Sequence, residues 1–447
     1  MNNYFGVHNH TMYSNLRLLD CINEPTALID KAIELGLSGI AITDHECLSA
    51  HMTVNQYADK IHEKYPNFKI ALGNEIYLTD TRDKGQKYYH FILIAKDLLG
   101  YKALKELSSI AWYNVYVDRR MERVPTLKTE LSQIIKKYKG HIIATSACIG
   151  GELSQNALAM VQAQEANNIE NATLYYNKIQ NFIEFCLETF GEDFYIECAP
   201  STYQDQIKVN KKLANIATAY NIPMVVGTDA HYLTEKERPI HTAYLNSKNG
   251  EREADYFYRF ARLMDYKECK DLLAISLGEK KAEEILENTK LIQEKITNFS
   301  LSRKQIIPKV QVTQYKKTLD YFKDLDKLNT KWPTIKKLLL SDVDQERCWI
   351  NNCLISMVDK NFINNETYLD RLEIEADIIS FIGNKLDDCL FAYFNTFKHY
   401  IDLFWNCGSI VGPGRGSATG FLSNYLLGIT QLDPIRWGLP YWRSTSI

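Results

Sequence analysis

The first half of the chain alternates short apolar runs with segments whose apolar residues recur at helical spacing. Such runs predict buried strands, and the amphipathic segments between them predict helices. The predicted strands are 4–7, 39–43, 69–76, 90–95, 141–145, 194–197 and 224–227. The predicted helices are 24–35, 49–65, 98–112, 126–138, a long segment within 154–190, and 203–220. This alternation predicts a parallel sheet with crossover helices, and seven buried strands favour a closed β/α barrel over an open sheet.

The pattern changes after about residue 272, where Leu, Lys, Glu and Asp recur at helical spacing with few strand-like runs. Segments 272–299 and 305–404 are therefore predicted to be helical, followed by a glycine-rich loop and a helix over 417–427. We predict two domains, an α/β barrel over 1–272 and a mostly helical α+β domain over 273–447.

Composition narrows the class of protein. A chain of 447 residues with 45% apolar content is long enough for two cores. The formal net charge of −3 provides no general attraction to nucleic acid, so DNA contacts would need local patches or a partner. The ten cysteines form no Cys-x-x-Cys pair, which argues against a zinc ribbon and a secreted disulfide scaffold. Because the chain shows neither a signal-peptide pattern nor a run of about 20 apolar residues, we expect a cytoplasmic protein without a membrane span.

Three short clusters of histidine and aspartate fall at or just after predicted strands. They are His8-Asn9-His10, Thr43-Asp44-His45 and Asp229-Ala230-His231. The carboxyl ends of barrel strands meet at one end of the barrel, so these side chains are expected to converge there. Imidazoles and carboxylates gathered in this way hold divalent metals, which activate water and neutralise charge on phosphoryl oxygens.

Four further residues are candidates on weaker grounds. Glu75 ends a predicted strand and could bridge two metals, and the Cys148 thiolate would be a soft ligand. Asp20 and His90 have less support from spacing. His90 stands at the start of its apolar run, which is the wrong end for a simple parallel barrel.

These clusters resemble the polymerase-and-histidinol-phosphatase (PHP) domain family, in the variant found in bacterial DNA polymerase III alpha subunits. The segment His8-Asn9-His10-Thr11-Met12-Tyr13-Ser14 matches the opening motif of that family. The other matching segments are Leu18-Leu19-Asp20, Thr43-Asp44-His45, Gly73 with Glu75, Tyr89-His90 with Lys96 and Gly100-Tyr101, Cys148 with Gly151-Glu152, and Asp229 with His231. The resemblance implies a seven-stranded, TIM-like β/α barrel that binds two or three divalent metals.

The resemblance also implies a ligand set and an activity. The implied ligands are His8, His10, Asp20, His45, Glu75, His90, Cys148, Asp229 and His231. A chain that carries all nine of these residues resembles the family members whose PHP domain acts as a metal-dependent 3′–5′ exonuclease in proofreading. Glu75, Asp229 and His10 are the expected catalytic residues, and Asp44 is expected to orient His45. Zinc, manganese and iron all suit these ligands, and the alternative is that the metals only stabilise the barrel.

A second motif lies near the C-terminus. The segment 412–420 is rich in glycine and precedes a predicted helix, so its amides, the helix N-terminus and Arg415 could bind phosphates. Residues 412–438 resemble the palm of DNA polymerase III alpha, which is of the polymerase-β type, with Thr419 in place of the usual alanine. The resemblance implies that Gly414, Arg415, Gly416 and Ser417 contact the triphosphate of an incoming deoxynucleotide.

The resemblance ends after about Arg443. In the family, a paired-aspartate motif that holds the magnesium ions of nucleotidyl transfer follows this point, whereas the chain ends at Ile447. We therefore expect a partial palm that polymerises DNA only when a second chain supplies the rest. A split gene, an interrupted gene and a truncated product all fit this expectation.

Three hypotheses of function follow from the sequence. The leading one is a segment of a replicative DNA polymerase III alpha subunit whose barrel is a 3′–5′ exonuclease and whose partners are DNA and deoxynucleoside triphosphates. The second is a stand-alone phosphomonoesterase of the histidinol-phosphatase kind, which leaves 412–420 without a role. The third is a non-enzymatic scaffold that docks the rest of a polymerase.

Overall fold

The structure is a computed structural model that describes residues 3–118, 121–247 and 258–444. It divides into two compact units, Met1–Arg303 and Lys304–Ile447. None of the helices in these ranges combines the length and apolar character that crossing a bilayer requires.

The first unit is built on a sheet that is rolled into a nearly closed barrel. Its strands are β1 Phe5–Gly6, β2 Gly39–Ile42, β3 Lys69–Thr79, β4 Tyr89–Ala95, β5 Tyr116–Asp118, β6 Met121–Arg123, β7 Pro125–Leu127, β8 Ile142–Thr145, β9 Phe194–Cys198 and β10 Met224–Val226. The barrel order is β1-β2-β3-β4-β8-β9-β10, while β7 pairs with β3 and β5–β6 form a separate hairpin. The seven barrel strands are those that the apolar runs predict, so the predicted β/α barrel is confirmed.

One barrel strand runs against the others. β4 is antiparallel to both β3 and β8, whereas β1–β2, β2–β3, β8–β9 and β9–β10 are parallel. Ile92 of β4 is opposite Thr145, the last residue of β8, so the start of β4 extends beyond the carboxyl end of β8. The amino end of β4 therefore lies at the same end of the barrel as the carboxyl ends of its parallel neighbours. The expectation of an all-parallel sheet was wrong at this strand.

Ten helices of the first unit surround the barrel within the described ranges. They are α1 Pro25–Glu34, α2 His51–Lys64, α3 Leu98–Tyr113, α4 Lys128–Lys137, α5 Glu152–Glu165, α6 Ile169–Phe190, α7 Gln204–Tyr220, α8 Arg238–Asn246, α9 Tyr266–Leu277 and α10 Glu279–Lys295. The predicted long segment within 154–190 is two helices, because Asn167 adopts a left-handed φ of 55° and the Asn168 side chain caps α6 by accepting from the Asn171 amide.

Strand residues alternate between two apolar layers, as the pleat of a strand requires. In β2, Ile40 and Ile42 pack outward with helix residues such as Leu28. Ala41 of the same strand belongs to the barrel interior with Phe5 and Ile92. The interior cluster of buried apolar residues also includes Ile292 and Ile296 at the end of α10.

Helix α10 also covers the opening between β1 and β10. The Thr289 hydroxyl accepts a hydrogen bond from the Phe5 amide at 2.9 Å, and the Asn288 side chain donates to the Met224 carbonyl at 3.0 Å. A bridge between Asn9 and Ala230 joins the two edges beyond the strands. The first unit therefore extends to Arg303, whereas the predicted boundary at residue 272 falls inside α9.

The second unit is helical. Its helices are α11 Leu325–Lys331, α12 Pro333–Leu339, α13 Asp344–Asp359, α14 Glu366–Leu386, α15 Phe391–Asn406 and α16 Leu422–Leu426. Their core is centred on Trp349, which is fully buried. No strand occurs among the described residues 304–444, and 305–319 has neither helix nor strand, although helix was predicted there.

We predict that a fragment ending at Arg303 is stable and that one ending at residue 272 is not. The shorter fragment loses α10, whose Ile285, Leu286 and Ile292 are fully buried. Removing three such side chains costs about 6 kcal/mol or more, which is comparable to the whole stability of a domain. Denaturant unfolding followed by circular dichroism measures the difference, and equal unfolding free energies for the two fragments would contradict the role given to α10.

Candidate metal centre

The barrel strands bring all nine predicted ligands to one end of the barrel. His8 and His10 follow β1, His45 follows β2, and Asp229 and His231 follow β10. Glu75 lies in β3, three residues beyond the last pair that β3 makes with β2, and Cys148 follows β8. Asp20 comes from the loop after the 3₁₀ helix Met12–Leu16. Eight of the nine side chains are buried, and that of His90 is 29% exposed.

His90 reaches the centre because β4 is antiparallel. It precedes Ile92 by two residues and therefore lies beyond the carboxyl end of β8, beside the backbone of Gly151. The sequence placed His90 at the wrong end of its strand only under the assumption that every barrel strand is parallel. Its position is the direct result of the reversed strand.

The Glu75 carboxylate is at the middle of the centre. One oxygen, Oε1, lies 2.6 Å from His90 Nδ1 and 3.6 Å from His8 Nε2. The other, Oε2, lies 2.6 Å from His45 Nδ1 and 3.3 Å from His10 Nε2. A single fully buried carboxylate therefore contacts four imidazoles from three segments of the chain.

The remaining ligands lie around this carboxylate. Asp229 Oδ1 is 3.2 Å from His8 Nε2 and 3.1 Å from His10 Nε2. Asp20 Oδ2 is 3.2 Å from His45 Nε2 and 3.6 Å from His231 Nε2. Three sets of side chains could each hold a metal ion, because the donor atoms within each set lie within 4.8 Å of one another. The sets are His10 with His45 and His231, His8 with His10 and Glu75, and Glu75 with His90 and Cys148.

The side chains fit bound cations because their buried polar atoms lack hydrogen-bond partners. Both oxygens of Glu75, Oδ1 of Asp20, Oδ1 of Asp229 and Nδ1 of His45 are buried without one. The 2.6 Å approach of His45 Nδ1 to Glu75 Oε2 is short enough for a hydrogen bond but has the wrong angles for one. Buried groups are normally satisfied, and nitrogen, oxygen and sulfur donors in this mixture suit a divalent transition metal.

The electrostatics favour the metal-binding protonation state at Glu75 and His10. Burial opposes ionisation of Glu75, but the charges of His90, His45 and His8 outweigh it and hold the pKa of Glu75 well below its usual value. Burial, reinforced by His45 and His231, lowers the pKa of His10 to about 3. An ionised carboxylate and a neutral imidazole are the ligand forms of these groups. At His8 and His45 burial lowers the pKa, but the neighbouring carboxylates outweigh it and hold the pKa well above its usual value, so there a cation must displace a proton.

Asp44 supports His10 through Ser14, whose hydroxyl also accepts from the His45 amide at 3.2 Å, so the expected orienting of His45 by Asp44 stays a prediction. Its carboxylate accepts hydrogen bonds from the Thr11 amide at 2.6 Å, the Thr11 hydroxyl at 2.8 Å and the Ser14 hydroxyl at 2.8 Å. The Ser14 hydroxyl lies 3.0 Å from His10 Nδ1. Asp44 therefore fixes the loop after β1 and acts on His10 through Ser14.

The sequence analysis missed Glu197, which contacts the centre from outside. Its Oε1 lies 2.6 Å from His8 Nδ1, and its Oε2 accepts from the Thr145 hydroxyl at 2.5 Å. The available signal was an acidic residue inside the apolar run of β9. A carboxylate in a buried strand needs partners, and here the partner is a candidate ligand.

The glycine-rich loop lies in the second unit. Gly414 and Gly416 have φ values of 105° and 62°, which favour glycine. A side chain at Gly414 would also lie within 3.1 Å of Thr430 and Thr419. Arg415 is exposed and has an extended backbone between these glycines. Gly416 and Ser417 are the first two residues of the 3₁₀ turn Gly416–Gly420. The four predicted nucleotide-contacting residues are therefore consecutive on the surface of this unit.

The first amides of the helix after the loop are already occupied. Glu375 of α14 accepts from the Leu422 amide at 2.6 Å and the Ser423 amide at 2.8 Å. The Leu422 and Ser423 amides are therefore not open to a phosphate. The predicted helix began earlier, at Ser417, where the chain forms the 3₁₀ turn Gly416–Gly420, so anion binding at that N-terminus stays a prediction. Arg371 of the same helix donates to Glu375 and to the Gly420 carbonyl.

Comparisons with known proteins match both units. A PHP domain family model covers residues 6–201, and a bacterial DNA polymerase III alpha NTPase domain model covers 347–446. The chain is 36% identical over 465 residues to a DNA-directed DNA polymerase of Bacillus phage SPbeta, covering 98% of this chain and 35% of that relative. It is 27% identical over 455 residues to a DNA polymerase III subunit alpha of Borreliella burgdorferi, covering 98% and 34%. The chain thus spans about a third of the length of these relatives.

We predict that Glu375→Ala loosens the glycine-rich segment. The change leaves the amides of Leu422 and Ser423 without an acceptor, at a cost of about 1–3 kcal/mol each. Hydrogen exchange of these two amides should accelerate roughly 100-fold, which mass spectrometry of peptides from 412–430 detects.

The matched control is Glu373→Ala on the same helix. Glu373 accepts from the Thr334 and Ile335 amides, so its loss should accelerate exchange there and leave 412–430 unchanged. Unaltered exchange at Leu422 in the Glu375 variant would refute the assigned role.

Proposed function

We propose that the chain, which matches a PHP domain model and a bacterial DNA polymerase III alpha NTPase domain model, is part of a polymerase of that family and that its barrel is a metal-dependent 3′–5′ exonuclease. The observation that carries the proposal is the buried Glu75 carboxylate, which lies among four imidazoles from three chain segments and has no hydrogen-bond partner among them. An arrangement of this kind serves two or three cations that share one bridging carboxylate.

The three sets of donors suggest how the cations would be held. Glu75 would be shared between cations, because its two oxygens face different histidines. Asp229 would hold a cation together with His8 and His10. Bound divalent ions such as zinc, manganese or iron would supply Lewis acidity towards a phosphoryl oxygen and acidify a water. Neutral imidazoles among the ligands keep the centre from repelling an anionic phosphodiester.

The exposure of the ligands suggests the direction of approach. His90 is 29% exposed, whereas the side chains of His8, His10, His45, Glu75 and Asp20 are at most 2% exposed. We infer that a DNA 3′ end reaches the centre from the side of His90 and Cys148. Glu75, Asp229 and His10 are the proposed catalytic residues, because their donor atoms converge beneath that opening.

The second unit is proposed to contribute to polymerisation only within a larger polymerase. Gly414, Arg415, Gly416 and Ser417 would contact the triphosphate of a deoxynucleotide. The three-residue sets of metal-ligating side chains found in the described ranges all belong to the barrel. The magnesium ions of nucleotidyl transfer would therefore need carboxylates from another part of the polymerase or from a second chain.

We predict that Asp229→Asn abolishes the exonuclease. The change removes a charge that contacts His8 and His10, and it should lower nucleotide release by about 100-fold or more, since even residues behind the ligands of metal sites change activity 10–100-fold. The assay follows mononucleotides released from a 3′-recessed duplex with Mn²⁺. The control is Asp193→Asn, because Asp193 is also largely buried but pairs with Lys96 and Lys295.

The same assay separates the alternatives. Hydrolysis of p-nitrophenyl phosphate without cleavage of the duplex would replace the exonuclease by a phosphomonoesterase. Equal duplex cleavage by the wild type and Asp229→Asn would refute the assignment of the centre, and no hydrolysis of either substrate would leave the scaffold hypothesis.

We predict that Arg415→Ala weakens nucleotide binding about 10-fold or more, because a charge-assisted hydrogen bond contributes about 1.5–3 kcal/mol. Fluorescence anisotropy of a labelled deoxyadenosine triphosphate on the full chain measures the effect. Arg436→Ala is the control, because Arg436 is also exposed but lies beside Trp437 outside the loop. Equal weakening by the two variants would indicate nonspecific attraction to the phosphates.

A further inference from the structure

We propose that Glu197 is a positioning residue that fixes the tautomer and the orientation of His8 for metal binding. The inference rests on the metal centre proposed above, and it assigns a role to a residue outside the nine ligands. It starts from a contact between two completely buried side chains, His8 Nδ1 and Glu197 Oε1, which are 2.6 Å apart.

The contact determines which nitrogen of His8 faces the centre. A neutral imidazole carries one N–H, and a carboxylate only accepts, so the proton belongs on Nδ1. The lone pair is then on Nε2, which lies 3.1 Å from His10 Nε2, 3.2 Å from Asp229 Oδ1 and 3.6 Å from Glu75 Oε1. With the other tautomer, Nε2 would present a proton to the cations, and His8 would not ligate.

The carboxylate of Glu197 is itself held in place. The Thr145 hydroxyl donates to Oε2 at 2.5 Å, and the Glu197 amide donates to the Ser146 hydroxyl at 3.0 Å. Gly227 covers the carboxylate so closely that a side-chain carbon there would lie 2.0 Å from Oε1. Residues at and just after the ends of β8 and β10 thus hold the carboxylate against His8.

His10 has a weaker version of the same support. Its Nδ1 lies 3.0 Å from the Ser14 hydroxyl, which in turn donates to Asp44, so the negative charge acts on His10 only through Ser14. His8 is in direct contact with a carboxylate, which makes its imidazole the more basic of the two and the stronger ligand. Removing the charge of Glu197 should therefore lower metal affinity even though Glu197 itself does not reach the cations.

Glu197→Gln is the appropriate change because it keeps the volume and one acceptor oxygen for His8 while removing the charge. The expected result is Mn²⁺ binding that is weaker by 10–100-fold, the range for residues that support metal-ligating histidines. Thr145→Val, which only frees the second oxygen of Glu197, should weaken binding in the same direction by less. Glu130→Gln is the matched control, since Glu130 is a partly buried carboxylate of the barrel that is held by Arg82.

The experiment titrates Mn²⁺ into the metal-free full chain and measures the free ion by electron paramagnetic resonance. Weakening by Glu197→Gln and Thr145→Val, with no change in Glu130→Gln, supports the positioning role. Wild-type affinity in Glu197→Gln, or equal weakening in Glu130→Gln, overturns it. Absence of Mn²⁺ binding in the wild type would instead defeat the proposed metal centre itself.

A second measurement separates positioning from a merely structural role. Proton–nitrogen correlation spectra of ¹⁵N-histidine-labelled, metal-free protein, recorded at alkaline pH so that His8 is neutral, report the tautomer of each imidazole. The Nδ1–H form of His8, assigned with His8→Gln, should dominate in the wild type and lose its dominance in Glu197→Met, which offers Nδ1 no strong acceptor. The same tautomer in both proteins would overturn the proposal, whatever the melting temperatures.

Discussion

The first unit depends on the burial of the Glu75 carboxylate without hydrogen-bond donors of its own. An ionised carboxylate is costly to remove from water unless charge and geometry compensate for it. Around Glu75 the compensation comes from imidazoles that reach it from β1, β2 and β4, so the barrel must close for the carboxylate to be tolerated. Closure in turn depends on α10, whose Thr289 accepts from the first strand. The packing that closes the barrel is therefore also what brings together the side chains that could hold metals.

Much of this arrangement follows from local pattern. Each barrel strand is a short apolar run, because its two faces pack against helices and against the barrel interior, and runs of that kind are visible in sequence. The candidate ligands His8, His45 and Asp229 are visible for a related reason, since they follow such runs closely. The ligand roles themselves rest on convergence in space, which the sequence could only anticipate through the PHP resemblance.

The rest depends on pairings that no single run displays. The direction of β4 is set by its pairing with β3 and β8, and its only trace in the sequence is the lack of a predicted helix between 69–76 and 90–95, which a parallel crossover would need. Glu197 meets a histidine 189 positions away, so its partner was not visible locally. Glu375 meets the amide of Leu422 across 47 positions, and this contact changes the reading of the glycine-rich loop. For Glu197 and Glu375 the acidic residue was visible in the sequence, whereas the residue that it contacts could not be identified from it.

The two units contain the same kind of group in opposite states. Glu375 is fully buried, but two backbone amides and Arg371 saturate its oxygens, so it is complete as a structural element. Glu75 is equally buried, yet neither oxygen has a partner with hydrogen-bond geometry, and its neighbours are side chains that ligate metals. The two carboxylates differ in whether their oxygens have hydrogen-bond partners, and not in how deeply they are buried. It follows that the carboxylate of the barrel has unused acceptor capacity for cations, whereas the carboxylate beneath the glycine-rich loop is fully occupied by groups of its own unit.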